Sequence, residues 1–406
     1  MAVGLDGSLD LAPVAGVRVG GAELGGRKKP RTDLAIIELA EGTQTAATFT
    51  RNRFCAAPVT VARRHLAAAA PRYLMVNAGN ANAATGEGGI ADAVACCGML
   101  AAAAGCGEEA VLPFSTGVIG ERLVLERFER AIPVALQSLA TDGWTAGAHA
   151  IMTTDTVPKG RSATFTAGGK RCTVTGIAKG VGMIKPDMAT MLAFVATDAA
   201  VAPELLRECL EKVVGRTFNR VTVDGDTSTN DSCVLAATGR AGNPVIDAAE
   251  HADYDAFEGA VDEVCRWLAH ALVRDGEGAT KFVTVEVGGG RTERECRDVA
   301  YAVAESPLVK TALSASDANW GRIVMAIGRS APVDLDQGTV SVWLGDVLVV
   351  DRGGRADSYR EELGASVLAG EEVRIRVDLG RGDASCTVWT CDLSHEYVSI
   401  NADYRT

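Results

Sequence analysis

The chain has 406 residues, of which 47% are hydrophobic and 23% charged, an ordinary balance for a globular protein with room for one large or two to three smaller domains. The formal net charge of −12 argues against nucleic-acid binding, because neutralising phosphates requires a basic surface. Eleven cysteines without C-x-x-C spacing favour reduced thiols, so neither a disulfide framework nor a metal site is predicted.

The hydropathy pattern predicts neither a membrane span nor a secretion signal. No segment is expected to be long and apolar enough to cross a bilayer. The first twenty residues carry Asp6 and Asp10, whereas a signal peptide needs a basic start and an apolar centre. We therefore expect a cytoplasmic protein.

Short apolar runs bounded by glycine and polar residues predict strands, and helical periodicity predicts helices. In chain order these are strands at 34–38 and 73–76, helices at 91–104 and 122–138, strands at 174–177 and 191–195, a helix at 203–214, a strand at 220–223, a helix at 254–273, a strand at 282–287, a helix at 306–314 and a strand at 340–344. Pro203 suits the first turn of its helix, and Asp275-Gly276 predicts the end of the longest one. The pattern alone leaves α/β and α+β folds open, because the elements follow no strict βαβ rhythm.

The segment 179–192 is the most informative part of the chain. Two glycines and a proline break regular structure there, and Ala189-Thr190 precedes the apolar run of a predicted core strand. On composition alone Thr190 is an ordinary strand threonine, since β-branched residues favour strands. A hydroxyl residue at the start of a strand, directly after such a loop, also suits a chain that cleaves itself. After a cut between Ala189 and Thr190, Thr190 would hold its nucleophilic hydroxyl and its own base, the α-amine.

Seven sequence blocks together carry a family resemblance. They are NAGNANA (77–83), STGVIG (115–120), IMTTDT (151–156), KGVGMIKPDMATML (179–192), NRVTVDGD (219–226), DANWGR (317–322) and YVSINADYRT (397–406). In this order, over about residues 17–406, they resemble motifs of the ornithine acetyltransferase (glutamate N-acetyltransferase, ArgJ) family of arginine biosynthesis. One such block would be weak, but seven in family order are a specific match.

The resemblance implies an α/β (α+β layered) fold of the ArgJ/DmpA-like type, in which sheets are sandwiched between helix layers. It implies self-cleavage between Ala189 and Thr190 into an α chain, residues 1–189, and a β chain, residues 190–406, which build the fold jointly. It also implies a heterotetramer of two α and two β chains.

The resemblance assigns catalytic roles to three residues. Thr190 is the nucleophile, while Thr116 and Gly117 hold the oxyanion that forms on the attacked carbonyl. By itself Ser-Thr-Gly is a turn signature. A hydroxyl beside a glycine N–H nevertheless suits an oxyanion hole, because glycine lets the backbone approach closely.

Substrate contacts are implied for Thr153, Lys179, Glu277, Asn401 and Thr406, together with Thr190. The choice between Thr153 and its neighbour Thr154 stays open. A lysine at position 179 suits a substrate α-carboxylate. Glu277 is expected to pair with the side-chain ammonium of ornithine. Asn401 and Thr406 imply an ordered C-terminus, although most chain ends fray.

The implied reaction is a ping-pong transfer of acetyl from N2-acetylornithine to glutamate, without a cofactor. A second activity that uses acetyl-CoA to acetylate glutamate is left open. The nearest alternative is a self-processed N-terminal-nucleophile aminopeptidase or amidase, in which water replaces glutamate as acceptor. An uncleaved binding or scaffold protein, in which Thr190 is only a strand residue, is the alternative from another class.

Overall fold

The computed structural model describes residues 2–25, 30–185 and 191–403. Three β-sheets and eleven α-helices lie in these residues. They form two compact units: the smaller contains residues 2–6, 220–225 and 273–403, and the larger contains the remaining described residues. The predicted cleavage site, Ala189 and Thr190, and the predicted substrate residue Thr406 lie outside the described residues.

The larger unit contains nine strands, five complete helices and most of a sixth. The strands are β1 (Val17–Ala22), β2 (Leu34–Leu39), β3 (Gln44–Phe49), β4 (Tyr73–Asn80), β5 (Val111–Val118), β6 (Lys159–Ala167), β7 (Lys170–Lys179), β8 (Leu192–Thr197) and β9 (Ser232–Ala237). The helices are α1 (Ala57–Ala68), α2 (Gly86–Ala104), α3 (Leu125–Gln137), α4 (Trp144–Ala150), α5 (Pro203–Arg216) and α6 (Tyr254–Arg274).

Two sheets stack face to face in the larger unit, between helix layers. The first has the strand order β1-β2-β4-β5 and the second β3-β9-β8-β7-β6. Phe114 of the first sheet meets Phe194 of the second in their shared core, with ring centroids 5.0 Å apart. Helices α2 and α3 cover the other face of the first sheet. Ile177 joins the shared core while its neighbour Gly176 lies against Val264 of α6, so α6 covers the outer face of the second sheet. The predicted layered α/β fold is confirmed.

The second sheet takes strands from both sides of residue 190. Strands β3, β6 and β7 precede that residue and β8 and β9 follow it, yet the spatial order interleaves them. Lys179 at the end of β7 pairs with Leu192 at the start of β8 in antiparallel register. The loop of residues 180–191 therefore joins two neighbouring strands, as expected from the sequence. A cut in this loop leaves the β3–β9 and β7–β8 ladders intact, so both products would share one sheet.

The smaller unit contains one sheet with the strand order β13-β12-β11-β14-β10-β15. Its strands are β10 (Phe282–Gly290), β11 (Ser341–Leu344), β12 (Val347–Asp351), β13 (Gly354–Arg355), β14 (Glu372–Asp378) and β15 (Ala384–Cys391). Its helices are α7 (Glu293–Ala304), α8 (Pro307–Ser314), α9 (Trp320–Ser330), α10 (Glu361–Leu368) and α11 (His395–Asp403). Helices α7, α8 and α9 bury their apolar faces in the same core as the sheet.

Every predicted element except one overlaps an observed element. Pro203 opens α5, and α6 ends at Arg274, directly before the predicted stop. The strand predicted at 220–223 was wrong: Val221 forms only an isolated bridge with Trp389. A short apolar run that pairs at one residue builds no ladder.

Helix α2 is long and apolar enough to cross a membrane, by length and composition. The expectation that no segment qualifies was therefore wrong for Gly86–Ala104. Much of its apolarity comes from alanine and glycine, and its buried side chains Cys96, Cys97 and Leu100 pack in the core on the outer face of the first sheet. We conclude that α2 is a core helix of the larger unit.

All eleven cysteines lie in the described residues and are unpaired thiols, most of them buried, as predicted. Burial raises the pKa of Cys233 to about 12, as expected for an inert core thiol. Within residues 2–25, 30–185 and 191–403, no group of three or more His, Cys, Asp or Glu side chains could hold a metal ion.

Candidate active site

The strands of the second sheet bring five residues to one edge. Lys159 begins β6, Lys179 ends β7, Met191 precedes β8, Asp231 precedes β9 and Thr50 follows β3. The observed pairing places these strand ends side by side, because antiparallel neighbours run in opposite directions and parallel neighbours begin together. The loop that carries the predicted nucleophile leaves and re-enters the sheet at this edge.

Two predicted site residues, Lys179 and Thr116, meet at this edge. The ammonium Nζ of Lys179 donates a hydrogen bond to the hydroxyl Oγ1 of Thr116 at 3.1 Å. An ammonium has only donors, so the Thr116 oxygen must accept in this bond. The hydroxyl proton of Thr116 is thereby left to point to another acceptor, which is the arrangement that an oxyanion donor needs.

Gly117 adopts a backbone conformation that only glycine accommodates at this position. Its φ is +129°, and a Cβ there would lie 2.2 Å from the carbonyl carbon of Gly79. This close approach occurs where the parallel strands β4 and β5 end at an irregular register. The hydroxyl of Ser115 donates to Asn77 Oδ1 at 2.6 Å and fixes the two strand ends to each other. The blocks 77–83 and 115–120 therefore build one backbone scaffold, and the predicted oxyanion residues lie on it.

Asp155 connects Thr153 to the end of β7. Its Oδ2 accepts from the backbone N–H of Thr153 at 2.9 Å, and its Oδ1 accepts from the N–H of Gly180 at 2.8 Å. Lys159 Nζ also donates to Oδ1 at 2.7 Å, and the side chains of this ion pair are fully buried. These bonds hold the predicted substrate residue Thr153 near the strand end that carries Lys179. They involve the Thr153 backbone and so do not decide between the Thr153 and Thr154 hydroxyls.

The charge state of Asp155 follows from its two cationic neighbours. Burial by itself would raise the pKa of this carboxyl, but Lys159 and Lys179 outweigh burial and hold the pKa well below its usual range. Asp155 is therefore ionised throughout the neutral range and neutralises part of the positive charge at the edge.

The pKa of Asp231 is shifted in the opposite direction to that of Asp155, although both carboxyl groups are buried. Its residue exposure is 3%, and burial raises the pKa of its carboxyl well above the ordinary value. The charge of Lys179 and hydrogen bonds from the Met191 N–H and the Ser228 side chain oppose the shift without cancelling it. The edge thus holds one carboxyl whose pKa is lowered by its lysine neighbours and one whose pKa is raised by burial.

Two further predicted residues, Glu277 and Asn401, meet in the smaller unit. Asn401 Nδ2 on α11 donates to Glu277 Oε2 at 2.9 Å. Gly278 has a φ of +70°, and a Cβ there would lie 2.5 Å from the backbone nitrogen of Tyr397, so the loop that carries Glu277 packs tightly against α11. Helix α11 extends to Asp403, and the order expected at Thr406 stays a prediction because that residue lies outside the described ones.

Sequence reasoning missed four residues that organise the candidate site in the larger unit: Asp155, Lys159, Asn230 and Asp231. Asn230 Nδ2 donates to the carbonyl of Ser115 at 2.9 Å and so secures the end of β5. Asp155 lies inside the recognised block 151–156, and its position was the only available signal. The others are polar residues that sequence alone cannot distinguish from solvated loop residues.

Comparison with known proteins identifies the family. The sequence pattern of the ArgJ family matches residues 18–406. The chain is 53% identical over 406 residues to the arginine biosynthesis bifunctional protein ArgJ of Pseudomonas syringae pv. tomato and 52% identical to that of Pseudomonas fluorescens, and each match covers all of both chains. A crystal structure of arginine biosynthesis bifunctional protein ArgJ from Bacillus halodurans is 42% identical, with a TM-score of 0.51, over 53% of this chain and all of that one. The chain belongs to the ArgJ family, as its sequence blocks predicted.

Proposed function

We propose that this chain cleaves itself between Ala189 and Thr190 and then transfers acetyl from N2-acetylornithine to glutamate through an acetyl ester of Thr190. As a member of the ArgJ family it is an acetyltransferase of arginine biosynthesis. The residue roles and the division into two chains are proposed from the contacts of the described residues.

The position of the loop of residues 180–191 supports self-cleavage. It joins neighbouring strands of a sheet whose ladders hold together residues from both sides of the cut. The products 1–189 and 190–406 would stay associated without any new contact.

The chemistry needs a base, a nucleophile and an oxyanion site. In the proposed cycle the α-amine of Thr190 takes the proton from its own hydroxyl as Oγ1 attacks the acetyl carbon. The oxyanion accepts from the Gly117 N–H and the Thr116 hydroxyl, whose oxygen already accepts from Lys179. The acetyl C–N bond then breaks, and the proton on the Thr190 amine goes to the departing ornithine nitrogen. Glutamate attacks the ester by the same steps in reverse and leaves as N-acetylglutamate.

Substrate recognition follows from the charges available. Lys179 supplies a cation suited to the α-carboxylate, a group that both amino-acid substrates have. Glu277 supplies a carboxylate suited to the side-chain ammonium of ornithine. Thr153, Asn401 and Thr406 complete the proposed substrate contacts.

The Lys179–Thr116 hydrogen bond is the observation that carries the proposal, because it joins the oxyanion residue to the strand end from which the nucleophile's loop departs. The test is product analysis of purified protein with acetylornithine, with and without glutamate. Equal amounts of ornithine and N-acetylglutamate, formed only when glutamate is present, are expected. Acetate release at the same rate without glutamate would instead favour the aminopeptidase or amidase reading.

We further propose that no cofactor takes part and that acetyl-CoA is a second acetyl donor. The name of the Pseudomonas relatives, a bifunctional protein, supports the second donor. A heterotetramer of two α and two β chains in the cytoplasm completes the proposal. Acetylation of glutamate by acetyl-CoA in the absence of acetylornithine tests the second activity.

A further inference from the structure

Asn230 is a buried residue whose amide joins the two strand ends that carry the predicted oxyanion residues. Its side-chain nitrogen Nδ2 donates to the carbonyl of Ser115 at 2.9 Å and to the carbonyl of Ala81 at 2.6 Å. Ser115 lies in β5, and Ala81 directly follows β4. Asn230 itself is 6% exposed. The blocks 77–83 and 115–120 therefore meet at one side chain.

The hydrogen-bonding groups of the Asn230 amide are all used. Nδ2 has two hydrogens and donates to two carbonyls, while Oδ1 accepts from the hydroxyl of Thr229 at 2.6 Å. A carbonyl oxygen can only accept, so the NH2 group must face Ser115 and Ala81, and these partners determine the orientation of the amide. An ionised aspartate of the same size would have no donor for either carbonyl. The site therefore requires an amide rather than any polar side chain.

The second sheet holds Asn230 in place. The backbone N–H of Asn230 donates to Ser228 Oγ at 3.2 Å, and the carbonyl of the next residue, Asp231, accepts from the Thr50 N–H at 2.9 Å. Strand β9 begins two residues after Asn230 and lies between β3 and β8 in the sheet. Asn230 is thus anchored to the second sheet, whereas the two carbonyls that it binds belong to the strand ends of the first.

The bond to Ser115 acts on the backbone immediately before Thr116. The Ser115 carbonyl belongs to the peptide unit that also contains the Thr116 N–H. A peptide unit is planar and includes the Cα atoms on both sides, so a bond to its carbonyl restricts the position of the Cα from which the Thr116 side chain departs. That side chain accepts from Lys179 of the second sheet at 3.1 Å. Thr116 is therefore held to the second sheet at two points, through its side chain and through the peptide unit before it.

We propose that Asn230 is a positioning residue for the oxyanion hole: its amide holds the peptide unit between Ser115 and Thr116 and thereby directs the Thr116 hydroxyl. This inference rests on the proposed function. Without the amide, the Ser115 and Ala81 carbonyls lose this donor, and the end of β5 can shift relative to Lys179. Oxyanion donors act at about 2.7–3.1 Å from the developing charge, so a small shift weakens the transition state more than substrate binding.

The same sheet contains a matched control at its opposite end. Asn243 is 7% exposed, and its Nδ2 donates to the carbonyls of Ala200 at 3.3 Å and Pro244 at 2.7 Å. Its Oδ1 accepts from the Ala200 N–H at 2.8 Å. Asn243 and Ala200 follow the ends of β9 and β8, whereas Asn230 precedes the start of β9. Asn243 thus shares the burial and the bonding of Asn230 but holds no residue of the proposed site.

The experiment compares wild type, Asn230→Ala and Asn243→Ala in acetyl transfer from acetylornithine to glutamate. Intact mass gives the cleaved fraction of each protein, and kcat is expressed per cleaved chain. Asn230→Ala should lower kcat by about 10- to 100-fold, because small misplacements of a reacting group have effects of this size. KM for acetylornithine should change less than about threefold, since an oxyanion donor acts in the transition state. Asn243→Ala should leave kcat and KM within about twofold of wild type.

Thermal unfolding separates positioning from packing. Each alanine variant leaves two carbonyls without their amide donor, so the two should lower the melting temperature by similar amounts. A double variant, Asn230→Ala with Thr116→Val, identifies the residue through which Asn230 acts. Its loss of kcat should be smaller than the product of the two single losses, because both changes weaken the same donor.

Wild-type kcat in Asn230→Ala would overturn the proposal. Equal losses of kcat in Asn230→Ala and Asn243→Ala would also overturn it, as would a loss in the double variant equal to the product of the single losses. If Asn230→Ala does not fold, Asn230→Ser, which keeps one donor, is compared with Asn243→Ser by the same criteria. Product analysis of wild type alone tests the proposed function, so the failure of one proposal is distinguishable from the failure of the other.

Discussion

The ammonium of Lys179 donates to the hydroxyl of Thr116 across 3.1 Å, and this bond sets the direction of the Thr116 proton. Lysine can only donate, so Thr116 accepts from it and keeps its own proton for another oxygen. The positive charge also polarises the hydroxyl, which makes it a stronger donor to a developing oxyanion. The two residues therefore act as one unit in the proposed oxyanion hole.

Replacement of Thr116 by Val should lower kcat by about 100- to 1000-fold, the usual loss for one oxyanion donor. Valine keeps the shape and removes the hydroxyl, so KM should change little. Thr116→Ser retains the donor and should keep most of the activity. Steady-state acetyl transfer measures both. Equal kcat values for Thr116→Val and wild type would remove Thr116 from the oxyanion hole.

Replacement of Gly117 by Ala should reduce both stability and activity. The new methyl would lie 2.2 Å from the Gly79 carbonyl carbon, and φ at this position is +129°. Gly120 is the matched control, with a φ of +89° and no atom within 4 Å of a Cβ. Gly120→Ala should cost about 1–2 kcal/mol from left-handed strain alone. Chemical denaturation should show a larger loss for Gly117→Ala; equal losses would mean that the contact with Gly79 does not constrain β5.

Breaking the buried Asp155–Lys159 pair should destabilise the fold by about 3–5 kcal/mol, because either single change leaves a buried charge unpaired. Asp155→Asn and Lys159→Met test this by denaturation. The exposed pair of Arg161 and Glu263, with N and O 2.9 Å apart, serves as control, and Arg161→Met should change stability by less than about 1 kcal/mol. If Asp155→Asn and Lys159→Met lose no more stability than Arg161→Met, the buried pair does not stabilise the fold as expected.

The pH dependence of stability should identify Asp155 directly. The pKa of Asp155 is lowered in the folded state. Its contribution to the free energy of unfolding is therefore present above the ordinary aspartate pKa of about 3.9 and is lost as the pH falls below that value. Wild type should therefore lose more stability on acidification than Asp155→Asn. Identical slopes for the two proteins between neutral and acidic pH would show that Asp155 does not lower its pKa on folding.

Replacement of Glu277 by Gln should raise KM for acetylornithine and leave KM for glutamate nearly unchanged, since glutamate has no side-chain ammonium. The amide still accepts from Asn401, so the loop should keep its place against α11. Glu286→Gln, at a surface ion pair with Arg374 in the same unit, is the control. An unchanged KM for acetylornithine would refute the ammonium pairing.

The apolar elements could be predicted from the sequence, whereas the small-residue strands could not. Strand β4 could be predicted from its continuous apolar run. Strand β3, with the sequence QTAATF, consists mainly of alanine and threonine and shows no alternation of apolar and polar residues. Arg220 to Val223 shows the reverse error, since an apolar run without a second paired residue remains irregular. The hydropathy pattern of a segment indicates which of its side chains are buried. Strand pairing depends instead on residues that are distant in the chain.

The site was predicted through family motifs, and the contacts within it were not. Lys179 and Thr116 are 63 residues apart, and only the meeting of β5 and β7 ends brings them together. Asp155 and Asp231 resemble solvated loop acids in the sequence, because burial is a property of the folded chain. The motifs predicted the residues, and the strand ends of the second sheet bring Lys179 and Thr116 together.

Thr190 is proposed to become a nucleophile when the chain cleaves itself. Intact mass and a denaturing gel of purified wild type beside Thr190→Ala test this step. We expect two fragments in wild type, the second starting at Thr190, and one uncut chain in the variant. A wild-type protein that transfers acetyl to glutamate while it remains a single uncut chain would contradict it.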